Sequence, residues 1–303
     1  MNASTLRKIV RNPLKLIQIL GIRRLLDWMP DSMYIKLTYR AEMGKNLNLK
    51  NPKTFNEKLQ YLKCYDHDET YTKYVDKVQA KQLVGNMIGY EHIVPTIGEW
   101  STAQDIDFDL LPNQFVLKCN HDQGSVIIVK NKIELDLQKT KEFLDKRLKM
   151  NWYYGTREYA YKNIKPKIFA EMFLEENIID YKFYCFHGDP KFLYCGKGLT
   201  IDHSLKIDFY DLNWNRLPFY RTDYERLGDI PKPLQLEEMI KIAKKLSSGF
   251  RFARIDLFDV EGRIYFSEVT FCPASGFMPF VPEEYDEIVG RWLDVGSKKG
   301  TYL

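Results

Sequence analysis

A chain of 303 residues is about twice the length of a common single domain, and its 45% apolar and 14% aromatic content exclude a disordered polymer. The net charge is +4, yet six of the 45 basic residues and none of the 41 acidic ones fall in residues 1–26, so that segment carries +6 and the remainder −2. A near-neutral body excludes a globally basic nucleic-acid binder.

In chain order, residues 1–26 read first as a basic amphipathic segment. Leu14, Leu16, Ile17, Ile19, Leu20 and Ile22 offer a broad apolar surface, with Arg11, Lys15 and Gln18 at helical spacing. This fits a helix lying on an anionic membrane surface, and equally a first helix docked on the domain. Lys15 and Gln18 interrupt the apolar run and no small-residue cleavage site follows, so a signal peptide does not fit. Residues 27–110 form a mainly helical region. Thr54-Phe55-Asn56-Glu57 is a capping-box pattern opening a helix that runs to Cys64, and a second helix over 71–88 stops at Gly89. Residues 111–200 turn β-rich: runs 114–118 and 126–130 make a hairpin with a long polar tip. A helix over 136–150 follows, then strands at 168–174, 181–186 and 191–195. Residues 201–303 add a strand at 206–210 and a helix keeping Leu236, Met239, Ile240, Ala243 and Leu246 on one face. A hairpin of 252–259 with 263–270 and a short terminal helix complete the chain. Strands and helices in two β-rich lobes behind a helical region make the class α+β.

Three segments carry chemistry. In the C-terminal hairpin, Arg254 and Asp256 alternate with Ile255 and Leu257, so the two charges share a face. The turn decides whether Glu268 joins them. A two-residue Glu261-Gly262 turn puts Asp256 and Glu268 on opposite faces. A three-residue loop with Gly262 left-handed gathers Asp256, Phe266, Glu268 and Thr270 on one side, with Arg254 facing Glu268. Glutamate is a poor first residue for the tight turn, so the three-residue loop is expected. Two carboxylates on one face need a cation between them. Mg²⁺ meets that need, since it takes few carboxylates and fills its octahedron with phosphate and water; Arg254, as a structural ion pair, meets it too.

The second segment spans 115–128. Lys118 closes an apolar strand, and a polar loop with Gly124 and Ser125 leads to the next one. Loop amides cradle phosphate oxygens while a lysine adds charge, although the order is not that of a P-loop, which opens a helix with Gly-Lys-Ser/Thr. Lys130 is a second phosphate contact or an ordinary strand end. The third segment, 168–174, leaves into an acidic turn before Asp180-Tyr181-Lys182-Phe183. Its backbone could meet an adenine edge and a carboxylate the ribose hydroxyls; a core strand with a solvated acidic loop explains it as well.

Together these segments resemble the ATP-grasp superfamily, and within it the TupA-like branch named after teichuronopeptide biosynthesis. The resemblance runs from Tyr34 to the C-terminus. It rests on Lys36-Leu37-Thr38-Tyr39-Arg40, Gly44-Lys45, Asn51-Pro52-Lys53-Thr54-Phe55-Asn56-Glu57-Lys58-Leu59 and Ile106-Asp107-Phe108-Asp109. It continues in the Lys118 loop, Tyr181-Lys182-Phe183, Phe209-Tyr210-Asp211 with Trp214, Arg254-Ile255-Asp256 and Glu268-Val269-Thr270-Phe271. It implies an ATP-grasp fold with the nucleotide held between two β-rich lobes, and ATP and Mg²⁺ as cofactors. Lys118 would contact the α- or β-phosphate, and the 121–126 loop, with Gly124 and Ser125, would close over the phosphates, Lys130 beside it. Glu171, Phe173 and Leu174 would line the adenine side, Asp180 would meet the ribose, and Lys182 would join the nucleotide contacts. Asp256 and Glu268 would hold Mg²⁺, with Arg254 near the transferred phosphoryl group. The asparagine usual two residues after the metal glutamate is Thr270 here, which becomes the third metal candidate. The loop reads His121-Asp122-Gln123-Gly124 where a more glycine-rich stretch is usual.

The resemblance further implies an ATP-dependent carboxylate–amine ligase, which phosphorylates a carboxylate to an acylphosphate that an amine attacks to give an amide. Positioning and charge neutralisation carry the first step, so no side-chain nucleophile is needed; neither GxSxG nor HExxH occurs. The branch suggests a uronic acid of a cell-surface polysaccharide and an amino acid as substrates, with the 51–63 segment and Arg40 as anionic-substrate contacts. Five cysteines (Cys64, Cys119, Cys185, Cys195, Cys272) without CxxC spacing argue for a reducing, cytoplasmic compartment. Peripheral contact with the inner face of the membrane would run through residues 1–26. A second reading is a metal-dependent glycosyltransferase, with Asp66-His67-Asp68 or Asp107-Phe108-Asp109 as its acidic triplet. A third is a membrane-bound scaffold whose nucleotide fold is inert.

Overall fold

The computed structural model describes residue 14 and residues 16–176, 178–198 and 204–296. Its N-terminal half opens with helices α1 (Leu16–Ile22), α2 (Asp31–Met43), α3 (Phe55–Tyr65), α4 (Thr70–Val75) and α5 (Lys77–Ile88). Strands β1 (Thr96–Trp100), β2 (Phe115–Cys119) and β3 (Ile127–Val129), helices α6 (Leu137–Leu148) and α7 (Trp152–Thr156), and strand β4 (Ile168–Met172) follow. The C-terminal half runs through β5 (Ile179–Phe186), β6 (Asp189–Lys197), β7 (Lys206–Asp211), β8 (Tyr220–Arg221), β9 (Glu225–Arg226), α8 (Leu236–Ser247), β10 (Phe252–Val260), β11 (Arg263–Thr270), β12 (Phe280–Val281) and α9 (Glu284–Gly290).

Local chemistry starts the helices. Thr54 accepts from the Glu57 amide while Glu57 reaches back to the Thr54 amide, the full capping box expected from the sequence. The helix expected over 71–88 is instead two. Asp76 adopts an extended conformation between α4 and α5 and accepts from the amides of Val78 and Gln79, so it ends one helix and caps the next. In α8, Leu236, Met239, Ala243 and Leu246 are buried as expected, with Ile242 in place of Ile240.

The strands form a four-stranded antiparallel sheet in the order β1-β4-β2-β3 and a six-stranded sheet in the order β11-β10-β5-β6-β7-β9; β8 and β12 pair separately. The sheets cut across the stretches drawn from sequence. β1, from the region expected to be helical, joins the small sheet, while β5 and β6 of the 111–200 stretch pair with β10 and β7 in the large one. One face of the large sheet, with Phe183, Ile255, Leu257 and Phe266, packs under α8. At one end of its other face, Tyr184, Phe186 and Phe252 meet Phe55 and Leu59 of α3. The small sheet buries Phe115, Leu117, Ile168 and Ala170 against Leu144 of α6. That leaves Val116, Lys118, Phe169 and Glu171 together on the opposite face.

The asparagine–proline–threonine–phenylalanine run clasps the two ends of the chain. Asn56 donates from its amide and from Nδ2 to the Asp286 carboxylate, both at 2.9 Å, and its side chain exchanges bonds with the backbone of Met278 at 2.8 and 2.7 Å. These groups are all buried, so each bond satisfies a polar atom that water cannot reach.

The β10–β11 hairpin departs from its expected register. Glu261 and Gly262 have φ of 53° and 80°, a two-residue turn and not the three-residue loop. A bulge between Asp256 and Leu257 then slips the pairing by one residue, so that Asp256 faces Glu268 and Arg254 faces Thr270. Phe266 pairs with Leu257 and turns to the core face, away from Glu268.

Candidate active site

On the face of the small sheet turned away from α6, Glu171 is buried and grips two lysines. Its Oε1 pairs with Lys118, and Lys81 of α5 lies 2.7 Å from its Oε2. Lys81 also donates to Val94 O at 2.8 Å. Burial opposes ionisation of Glu171, but Lys118 and Lys81 outweigh it and hold the carboxyl below its ordinary range.

On the large sheet, Asp256 is fully buried and takes Arg254 in a bidentate pair, both bonds at 2.7 Å, with Lys182 also 2.7 Å from its Oδ2. Arg254 Nη2 reaches Glu268 Oε1 at 3.2 Å and Thr270 Oγ1 at 3.0 Å. Lys182 lies 3.2 Å from Asp180, whose other carboxylate oxygen has no partner among the described residues. Glu268 is the open member, its side chain 31% exposed. Burial would raise its carboxyl, but Lys182, Lys77 and Arg254 together hold it at about 2.

Helix α5 joins the two sites, because Lys77 and Lys81 stand one turn apart on it. Lys77 donates to the Asp122 carbonyl in the loop between β2 and β3. That loop is braced from within. Arg147 binds the Asp122 carboxylate and the Gln123 carbonyl, and Ser125 Oγ donates to Asp122 while accepting from the Cys119 amide at 2.9 Å. Asp122 is therefore neutralised by Arg147 rather than facing a phosphate. Gly124, at φ 83°, is exposed with open space where a side chain would stand, so backbone can approach a ligand there.

The structure thus gathers Arg254, Asp256, Glu268, Thr270, Lys182 and Asp180 into one cluster and pairs Lys118 with Glu171. Other expected residues sit elsewhere. Ser125 is buried with its hydroxyl occupied inside the loop. Lys130 follows β3 at the end of the hairpin away from the loop, in an exposed pair with Glu176 at 2.7 Å. Phe173 and Leu174 lie half-buried just past β4. Neither acidic triplet gathers a metal site: Asp66 accepts from Tyr71 and Asp107 from the Asp109 amide. Lys77 and Lys81 were missed; their spacing at the start of α5 was the available signal.

Two carboxylates and a hydroxyl on adjoining strands are hard oxygen donors suited to Mg²⁺. Glu268 is anionic and open to it, while Asp256 must loosen its hold on Arg254 or Lys182 to share an ion. Among the described residues no group of three His, Cys, Asp or Glu side chains surrounds a metal position.

The two sheets, with lysines on one and an arginine–carboxylate cluster on the other, define the ATP-grasp class. More particularly, residues 57–294 match the family model for TupA-like ATPgrasp, and the chain belongs to that family. Solved structures similar to it include D-alanine–D-alanine ligase from Bacillus anthracis, at 18% identity and a TM-score of 0.39 over 65% of this chain and 57% of that one. N5-carboxyaminoimidazole synthetase from Staphylococcus aureus, complexed with ADP, is 14% identical, with a TM-score of 0.37 over 65% and 43%. The ATP-grasp ligase PsnB, complexed with a phosphomimetic variant of its minimal precursor, Mg and ADP, is 10% identical, with a TM-score of 0.38 over 68% and 52%. The chain spans about half the length of these proteins. No curated protein matches it.

Proposed function

We propose that the protein is an ATP- and Mg²⁺-dependent carboxylate–amine ligase that forms an amide through an acylphosphate. The observation that carries this reading is the Arg254–Asp256–Glu268–Thr270 cluster, where a guanidinium and an open, fully ionised carboxylate share one sheet face. Lys118 and the Gly124 amide region bind the phosphates, and Lys77 adds charge between the loop and Glu268. Asp180, with a carboxylate oxygen unused, accepts from the ribose, and Lys182 holds Asp180 and Asp256 in line. Glu171 acts at the adenine side by fixing Lys118, and Phe173 and Leu174 line the strand exit. Mg²⁺, held by Glu268 with Asp256 and Thr270, supplies charge neutralisation at the terminal phosphates when bound. Arg254 stabilises the phosphoryl group as it passes to the substrate carboxylate, and the amine then displaces phosphate from the acyl carbon.

Membership of the TupA-like family favours a uronic acid of a cell-surface polysaccharide as the carboxylate and an amino acid as the amine. Phosphate release from ATP, screened against carboxylate and amine pairs with mass spectrometry of the product, tests the proposal. An amide product that needs both partners supports it; ATP turnover without an amide overturns it.

A peripheral membrane contact belongs to the same reading. No helix among the described residues is long and apolar enough to cross a membrane. α1 is docked on the protein, since Tyr34 Oη donates to Gly155 O at 2.9 Å and a Cβ on Gly21 would lie 2.2 Å from that hydroxyl. The surface available to lipid is instead the turn after α1, where Leu25 and Trp28 are exposed beside Arg23 and Arg24, flanked by exposed Ile22 at the end of α1 and Met33 in α2. Residues 1–13 and 15 lie outside the described residues.

A further inference from the structure

Lys63, on α3, is 6% exposed, yet no carboxylate of the described residues lies within ion-pair distance of it. Its ammonium donates to Gln60 Oε1 at 3.0 Å and to Ser275 O at 2.9 Å, both neutral acceptors. An ammonium has three N–H donors, and a buried charge without a counter-ion is costly. The Phe277 ring, 5.1 Å from the ammonium, gives it a cation–π contact, so among the described residues one N–H is left without an oxygen acceptor and the charge without an anion in direct contact. Glu158, 5% exposed, stands on the other side of the same serine and accepts from Ser275 Oγ at 2.7 Å. Burial raises the Glu158 carboxyl, with Lys63 the largest opposing influence, so the two charges lie close. Ala274 and Ser275 both sit at φ 51°. Left-handed backbone at two successive non-glycine residues is unfavourable and persists only where surroundings impose it. Here it aims Ser275 at both charges.

Lys63 and Glu158 line a small recess walled by Phe252, Phe271, Cys272 and Tyr161. Its place on the sheet is informative. Asp256, Arg254 and Phe252 alternate along β10, as Glu268, Thr270 and Cys272 do along β11 and its exit, so all share a face. The recess thus begins about 7 Å beyond Arg254, on the side away from Asp256 and Asp180. Tyr161 ties it to the phosphate loop by accepting from Gln123 at 3.2 Å.

From this geometry we infer that the recess binds a free amino acid, its carboxylate on Lys63 and its amino group on Glu158, with its side chain against the apolar walls. A cation and a carboxylate a serine's width apart complement a zwitterion, and neither a simple acid nor a simple amine satisfies both. Resting on the ligase reading, this site supplies the amine partner. Binding itself does not depend on turnover, which separates the two failures.

The test is calorimetric titration of the full chain with the standard L- and D-amino acids, alone and with Mg²⁺ and a non-hydrolysable ATP analogue. For each binder, the analogues lacking the amine or the carboxylate are titrated into wild-type protein, so the result does not hinge on a variant folding. We expect at least one amino acid to bind and each analogue to lose at least about tenfold in affinity, the scale of one charge-assisted bond. Lys63→Met and Glu158→Gln should lose as much while still binding the ATP analogue. If no amino acid binds in either condition, or if deaminated or decarboxylated analogues bind as well as the parent, the site is wrong. If an amino acid binds as expected but no amide forms with any carboxylate, the ligase reading fails and the site stands.

Discussion

Asp256 and Glu268 face one another across a strand pair, but their surroundings separate the consequences of removing them. Asp256 is the sole fully buried anion between Arg254 and Lys182 in the cluster. Asp256→Asn leaves two buried cations short of a counter-charge and should cost about 3–5 kcal/mol of stability along with turnover. Glu268 is nearly a third open, so Glu268→Gln should cost only about 1–2 kcal/mol while abolishing Mg²⁺-dependent turnover. The pH dependence has a definite sign. The Glu268 carboxyl is held at about 2, below its unfolded value of 4.5, so its contribution is complete above pH 4.5 and fades as pH falls toward 2. Melting curves of wild type and Glu268→Gln should therefore converge across that window; a constant gap down to pH 2 would show that Glu268 feels no such cations. Lys118 is only one of the two lysines on Glu171, so Lys118→Ala should leave the fold intact. It should still cost roughly 2–4 kcal/mol of transition-state stabilisation, read as kcat/KM for ATP.

At the scale of elements, what could be read from sequence was what neighbouring residues decide. The Thr54–Glu57 cap, the α8 stripe and the alternation of Arg254 with Asp256 all rest on spacings of two to four residues, and each has its counterpart in the fold. The hairpin did not yield as well. Glu261 adopts the positive φ that a glutamate resists, in a hairpin whose β10 pairs with β5 and whose apolar face packs under α8. The bulge after Asp256 has no glycine or proline to announce it, yet it brings Glu268 back to the face the tight turn would have denied it. Nor could Asn56 be recognised as a clasp, since its partners lie 222 and 230 residues away. The turn gives a prediction with an unusual sign. Asparagine tolerates the left-handed region that glutamate does not, and Gly262 already suits its own φ of 80°. Glu261→Asn should stabilise the protein by about 0.5–1 kcal/mol, visible as a higher melting temperature; Gly262→Ala should lower it. A neutral or destabilising Glu261→Asn would mean that the turn is not the two-residue form.

At the scale of the whole chain, the basic charge of the sequence is concentrated in and just before an exposed apolar turn. The +6 carried by residues 1–26 stands against −2 for the rest, and the turn that follows α1 exposes Leu25 to 58% and Trp28 to 72%. Tryptophan and leucine beside arginine suit the interface of an anionic bilayer, where the ring has one apolar and one wet side. Each basic side chain near such a surface contributes about 1 kcal/mol, enough in sum for weak, salt-sensitive attachment. Deleting residues 1–26 is a poor test, because it removes the docked α1 and uncovers Tyr34 and Gly155. Point changes on the exposed turn avoid this. Leu25→Ser with Trp28→Ser should abolish flotation with phosphatidylglycerol-rich vesicles, and Arg23→Glu should weaken it most at low salt. Both variants should keep the wild-type melting temperature and ATP affinity, since these side chains pack on nothing in the cleft. Neutral phosphatidylcholine vesicles should not retain the protein. Equal flotation of wild type and the Leu25/Trp28 variant would take the turn out of any membrane contact, and failure of wild type to float at low salt would remove the contact altogether.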